Sequence, residues 1–160
     1  MEQLLKEIKN ELSQIRFNKS TYRASINKNN IKPESIIFGY RTHFGHHGLS
    51  ANTLKYPEFY EHLKQLMHSH DPDFKFTTIT VNKNFKCLPH YDGNNVGDSY
   101  IIGLGDYKHG EINVEGKKYD IHNKFLTFNG SKMKHWVEPW TGGDRYTLVY
   151  YNNKNYKKKN

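Results

Sequence analysis

Leu4, Leu5, Ile8, Leu12 and Ile15 recur at steps of three and four with polar residues between them, which predicts an amphipathic helix over about residues 2–16. Residues 16–32 follow without an acidic group and with five basic ones, Arg16, Lys19, Arg23, Lys28 and Lys32, and read as a solvated connection with one short strand over 22–26. Residues 39–52 are rich in Gly and His and fit neither the helical nor the strand period, so a long binding or lid loop is expected there. Pro57 then opens a second helix, with Phe59, Tyr60, Leu63, Leu66 and Met67 on one face and a stop near Asp71-Pro72.

From Phe74 onward the pattern changes. Short aromatic and β-branched runs over 74–82, 100–104, 111–114, 118–121, 125–128, 134–137 and 145–151 are separated mostly by Gly or Asn, the signature of many short strands. The expected fold is therefore mainly β with flanking N-terminal helices, a jelly-roll type of double-sheet architecture. One domain over 1–151 is expected, with helical and loop support over 1–73, a β core over 74–151, and a flexible basic tail over 152–160.

Composition narrows the function. No run approaches the ~18 uncharged apolar residues of a membrane span, and Met1-Glu2-Gln3 does not open a signal peptide, so an intracellular protein, cytoplasmic or nuclear, is expected without a membrane partner and as a monomer. The one cysteine, Cys87, makes no internal disulfide, and its spacing from His90 is too poor in thiolates for zinc, so it reads as a small buried hydrophobe. The 24 Lys and Arg against 16 Asp and Glu give a net charge of +8, which attracts phosphate-rich partners, although the surplus is nearly all Lys and is also what an A/T-rich coding sequence produces.

The chemistry concentrates in the β half. In extended chain, residues i and i+2 point to one side, so His90 and Asp92 can converge on one ion. His135, on a later strand, is the leading third ligand of a two-His, one-carboxylate set, with His122 or His109 next in line. Arg145 and Thr147 share one face of the last strand and form a receptor for a carboxylate. His43, His46 and His47 read as substrate contacts or solvated groups rather than a second metal site. Trp136 and Trp140 flank the distal His, and Trp136 is expected to turn away from it and pack on the N-terminal helices.

This ordered set, H-x-D, a later His, then R-x-T on the terminal strand, resembles the Fe(II)- and 2-oxoglutarate-dependent dioxygenases over roughly residues 74–151. The segments Val81-Asn-Lys-Asn84, Pro89-His-Tyr-Asp-Gly-Asn-Asn95 and Gly103-Leu-Gly-Asp-Tyr-Lys-His-Gly-Glu111 are similar to a compact branch with viral and phage members and, more distantly, to the thymine and methylcytosine hydroxylases. The resemblance implies a double-stranded β-helix, Fe(II) on His90, Asp92 and His135, 2-oxoglutarate gripped by Arg145 and Thr147, O2 as oxidant, and hydroxylation or oxidative demethylation of a substrate C–H. Asn95 completes an H-x-D-x-x-N pattern and, with Arg41, is the candidate for substrate contact; Tyr100 and Asn82 are candidates for lining the cosubstrate pocket. His109 stands where many related sequences have Gly. A nucleobase in DNA or RNA is the expected substrate, a prolyl-type peptide site the alternative, and a non-catalytic metal-binding jelly-roll module the alternative of another class.

Overall fold

The computed structural model describes residues 1–19, 34–43 and 46–156, and within them α1 (Glu2–Gln14) and α3 (Pro57–His70) stand where the apolar spacing predicts helices. Ile8 and Leu12 of α1 are fully buried with Phe59, Leu63, Leu66 and Met67 of α3. His62 of α3 bridges the pair at its edge, its Nδ1 2.5 Å from Glu11 Oε1 and its Nε2 3.8 Å from Glu7 Oε2. No described helix is long and apolar enough to cross a membrane.

The helices cover one face of the main antiparallel sheet. Its strand order is β1 (Asn18–Lys19), β2 (Glu34–His43), β4 (Thr78–Lys83), β12 (Tyr146–Asn153), β5 (Asn95–Leu104) and β9 (Leu126–Phe128), with β3 (His46–Leu49) paired to β2. Period-2 alternation divides the work of this sheet. Tyr146, Leu148 and Tyr150 of β12, Ile79 and Val81 of β4, and Ile102 and Leu104 of β5 pack on the helices, and the Tyr150 hydroxyl donates to Leu63 O at 2.7 Å.

The opposite face looks into the barrel. A smaller sheet of β10 (His135–Val137), β7 (Ile112–Val114) and β8 (Lys117–Tyr119), with the pair β6 (Tyr107–His109) and β11 (Trp140–Gly142), closes it. Ile101, Ile112, Val114, Ile121 and Phe128 form a second apolar cluster, joined by the half-buried Val149. This is the mainly β, double-sheet architecture with N-terminal helices that the sequence predicts.

Residues 39–52 differ from the loop expected of them. They hold the end of β2, all of β3 and the start of the short helix α2 (Ala51–Lys55), which Ser50 caps. The period is broken at Gly39, whose φ of +82° makes an irregularity in β2 and where a Cβ would lie 2.6 Å from Thr77 O. A strand interrupted this way carries no readable alternation. The strands β6 and β11 carry no readable alternation either, since Tyr107-Lys-His109 and Trp140-Thr-Gly142 hold one large apolar residue each. Trp136 does not reach the helices, because β10 belongs to the smaller sheet and the helices cover the larger; its indole N–H donates to Glu138 Oε1 at 3.2 Å. The strand expected over 22–26 lies outside the described residues, as do 157–160, and β12 continues through Asn153.

Leu66 is fully buried between α1, α3 and the main sheet. Leu66→Ala is expected to lower unfolding stability by about 2–5 kcal/mol, read from the urea midpoint with an unchanged m-value.

Candidate active site

Two side chains two residues apart and a third from a later strand meet at one side of the barrel. His90 and Asp92 lie on the segment between β4 and β5, and His135 begins β10. A bridge of two backbone hydrogen bonds, His90 N–H to His135 O and the reverse, each 3.1 Å, fixes the two histidines side by side. The Asp92 N–H donates to Gly130 O at 2.9 Å, which sets the carboxylate between them. Gly130 is required by space: a Cβ there would lie 2.9 Å from Asp92 Oδ2 and 3.3 Å from the His135 ring.

The result is a compact donor set. His135 Nε2 is 3.0 Å from Asp92 Oδ2, His90 Nε2 is 3.3 Å from Asp92 Oδ1, and one donor atom from each residue lies within 4.8 Å of the others. Both imidazoles use Nδ1 elsewhere, His90 at 2.7 Å from Leu88 O and His135 at 2.9 Å from Met133 O. A carbonyl only accepts, so each Nδ1 carries a proton and each Nε2 is the ring atom that faces Asp92 and would ligate a metal once its own proton is displaced. His90 Nε2 is buried and has no hydrogen-bond partner among the described residues. A divalent metal would satisfy that atom, and two imidazoles with one carboxylate on one side are the donor chemistry of an Fe(II) site with open positions.

The charges are strongly coupled. Burial opposes charge on both Asp92 and His90. For Asp92 the His135 and His90 imidazoles outweigh it and hold the carboxyl well below the usual carboxylate range. For His90 the Asp92 carboxylate and Cys87 outweigh it and push the imidazolium up to about 10. Cys87 is thus a half-buried neighbour of His90, not the plain buried hydrophobe expected of it. His122 and His109 do not join the cluster. His122 Nε2 is 2.7 Å from Gly105 O, and His109 is exposed on β6.

At the other end of the barrel Arg145 is 2% exposed. Its Nε and one terminal nitrogen donate to Gly110 O at 3.1 and 2.8 Å, and its guanidinium carbon lies 5.4 Å from the Tyr107 ring centre and 5.6 Å from that of Trp140. Gly110 leaves room for it, since a Cβ there would be 2.9 Å from Arg145 Nε. Among the described residues no carboxylate lies within ion-pair distance of this guanidinium, and burial pushes its pKa down. A buried cation held by one carbonyl and two rings keeps unsatisfied capacity for an anion. Cys87 is close enough to influence the charge of both Arg145 and His90.

Thr147 lies on the cavity face of β12, opposite Asn82 of β4 and Gly103 of β5, and Asn82 Nδ2 donates to Thr147 Oγ1 at 3.3 Å. Tyr100 is elsewhere. It occupies the helix face of β5, where its hydroxyl donates to Asp71 Oδ2 at 2.8 Å and its ring meets Phe74 and Phe125, so alternation removes it from the cosubstrate pocket. The tyrosine beside Arg145 is instead Tyr107, unremarked in the sequence. Its hydroxyl is buried without a hydrogen-bond partner and fills the space over Gly103, where a Cβ would be 2.2 Å away. The only advance signal is the glycine-bounded turn Gly103-Leu-Gly-Asp-Tyr107, which doubles the chain back. Asn95 starts β5, its N–H bonded to Asp92 O at 3.1 Å, and Arg41 sits half-buried in the β2–β3 hairpin opposite Gly48. His47 of that hairpin bonds Tyr40, its Nδ1 2.6 Å from the hydroxyl.

Solved structures share this fold. NgTET1 in complex with 5mC DNA aligns over 96% of this chain and 69% of its own, with a TM-score of 0.68 and 15% identity. The fold is that of the 2-oxoglutarate- and Fe(II)-dependent oxygenases. A 2OG-Fe(II) oxygenase-family oxidoreductase from Burkholderia pseudomallei aligns over 92% of this chain and 77% of its own at 14% identity and TM-score 0.60. A Pseudomonas putida prolyl-4-hydroxylase aligns over 94% and 86% at 12% identity and TM-score 0.53. No family model and no curated protein sequence matches the chain.

The metal-free cluster holds a proton between Asp92 and His90 at neutral pH, because the first group's pKa is lowered and the second's raised. Loading a divalent metal is therefore expected to release about one proton per site, and apparent affinity to rise with pH until His90 deprotonates near 10. Calorimetry with Co(II) in buffers of different ionisation enthalpy measures this, and Asp92→Ala is expected to abolish stoichiometric binding.

Proposed function

We propose that this chain is an Fe(II)- and 2-oxoglutarate-dependent oxygenase that hydroxylates or oxidatively demethylates a nucleobase in DNA or RNA. The observation that carries the class is the pairing of a metal-type donor set with a buried, anion-seeking Arg145 in the same barrel. A passive metal-binding jelly-roll module has no use for that unpaired cation.

His90, Asp92 and His135 are the metal ligands in this reading, oriented by Leu88 O and Met133 O. Fe(II) bound there would supply, with 2-oxoglutarate and O2, the oxidation of a C–H bond coupled to decarboxylation of the oxo acid to succinate. The protein positions and excludes. Arg145 and Thr147 grip the far carboxylate of the cosubstrate, Asn82 orients the Thr147 hydroxyl, and Tyr107 adds an unpaired hydroxyl at the same end. Ile101, Phe128 and Val149 form the dry wall between the two ends.

The nucleobase assignment is supported by three features: the position of Asn95 beside Asp92, the net charge of +8, and the likeness in fold to NgTET1, which is described with 5mC DNA. Arg41 and Asn95 are the substrate contacts of this reading. A prolyl-type peptide hydroxylase is the second reading, favoured by the fold of the Pseudomonas putida enzyme. Salt separates them, because only polynucleotide affinity falls steeply with added salt.

Aerobic incubation with Fe(II), 2-oxoglutarate and pools of oligonucleotides or peptides is expected to yield succinate together with a product heavier by one oxygen atom, for hydroxylation, or lighter by one CH2 with formaldehyde released, for demethylation. A chain that binds the metal but releases no succinate with any pool contradicts the proposal. Arg145→Ala is expected to keep metal binding and to raise the 2-oxoglutarate requirement about thirtyfold or more, since it removes the partner of a desolvated carboxylate worth about 2–5 kcal/mol.

A further inference from the structure

The His90 and His135 side chains are only 8% and 5% exposed, while Asp92 is 25% exposed and marks the open side of the site. Three segments meet around that opening. The first carries Lys86, Leu88 and Tyr91 beside the two ligands, with Leu88 39% and Tyr91 54% exposed. The second runs from Gly130, whose carbonyl accepts from Asp92, to His135, and carries the exposed Lys132 and Lys134.

The third segment is the turn that follows β12. Its Lys154 N–H donates to Asn94 O at 2.9 Å, two residues beyond Asp92. The turn is fastened from the other side by Tyr40, whose hydroxyl donates to Asn155 O at 2.9 Å and whose ring meets Tyr156 edge-to-face at 5.0 Å. His47 Nδ1 in turn donates to that hydroxyl at 2.6 Å. Lys154 is thus held at the rim by the fold, and the sequence continues from it into Lys157, Lys158 and Lys159. Of the acidic groups near this rim, Glu115 accepts from the Lys134 N–H at 2.8 Å, and Asp98 is exposed on β5.

We propose that this rim is a phosphate-binding collar for a single-stranded polynucleotide, with Lys86, Lys132, Lys134 and Lys154 on the phosphates and the exposed ring of Tyr91 as a stacking platform for a base next to the target. The inference rests on the nucleobase reading above and extends it to the groups that hold the strand. Alternation of point charges with exposed apolar and aromatic surface is what a chain of phosphates and bases requires. The donors lie too deep for a base still paired in a duplex, so the target base must already be unstacked or leave its stack to reach them. A peptide presenting one side chain has no repeated anion to engage four lysines on three separate segments.

The test is the salt dependence of binding of a fluorescein-labelled single-stranded oligonucleotide to the full chain. For single strands log K falls with log salt by about 0.7 per phosphate contact, so Lys132→Gln/Lys134→Gln/Lys154→Gln is expected to make the slope shallower by about two. The matching Arg triple is expected to restore it. Lys6→Gln/Lys9→Gln/Lys75→Gln, away from the rim, is expected to leave the slope unchanged. Tyr91→Ala is expected to weaken binding about tenfold at every salt concentration. A wild-type slope untouched by the rim triple overturns the collar and leaves the nucleobase reading standing; tighter binding of a perfect duplex than of the single strand overturns the single-strand assignment. No salt-dependent oligonucleotide binding by the unsubstituted chain overturns both.

Discussion

A guanidinium sealed inside a barrel without a carboxylate beside it is the constraint on which this structure turns. Taking a charge out of water costs several kcal/mol unless something answers it, and among the described residues Arg145 donates to one carbonyl and lies against Tyr107 and Trp140, with Glu111 adding a weaker favourable charge from beyond ion-pair distance. The chain tolerates that cost in a place where every neighbour makes room for the side chain: Gly110 has no Cβ to collide with it, and the β6–β11 pair brings the two rings to it. At the opposite end a carboxylate is fixed between two imidazoles, with an imidazole nitrogen left unpaired. Neither end is a good way to stabilise a fold. In the proposed function the two together hold a cosubstrate that is anionic at one end and metal-binding at the other.

The scaffold makes such a cavity affordable by separating its two duties across one sheet. Strand alternation sends Tyr146, Leu148 and Tyr150 into an apolar interface with α1 and α3, while Thr147 and Val149, one residue out of step, face the barrel. Stability resides on the helix side. The cavity side is then free to carry polar and charged groups that contribute little to folding, and the short strands of the smaller sheet bring His135 to its place.

How much of this was legible in the sequence depended on whether the signal was periodic. The helices were read from Leu and Ile spacing, and the His90–Asp92 pair from the geometry of extended chain, because both follow from local backbone rules. Where the pattern is broken or sparse it says nothing: Gly39 hides β2 and β3, and β6 and β11 hold one large apolar residue each. Tyr100 shows the opposite failure. It lies close to the cavity along the chain, yet the same alternation that buries Ile102 and Leu104 under α3 carries it away. Tyr107 reaches the pocket only because a glycine turn folds it over Gly103, a contact no local rule announces. Net charge gave a sign without a place; the placement of lysines around the opening required the loops to be assembled.

The most direct measurement is an anaerobic titration of the metal-free chain with Fe(II) and 2-oxoglutarate, followed by visible absorption. The account predicts a weak charge-transfer band that saturates at one equivalent of each, is absent in Asp92→Ala and in His135→Ala, and in Arg145→Ala appears only at much higher 2-oxoglutarate. A band that persists without Asp92 or His135, or no band from the unsubstituted chain at any cosubstrate concentration, would contradict it.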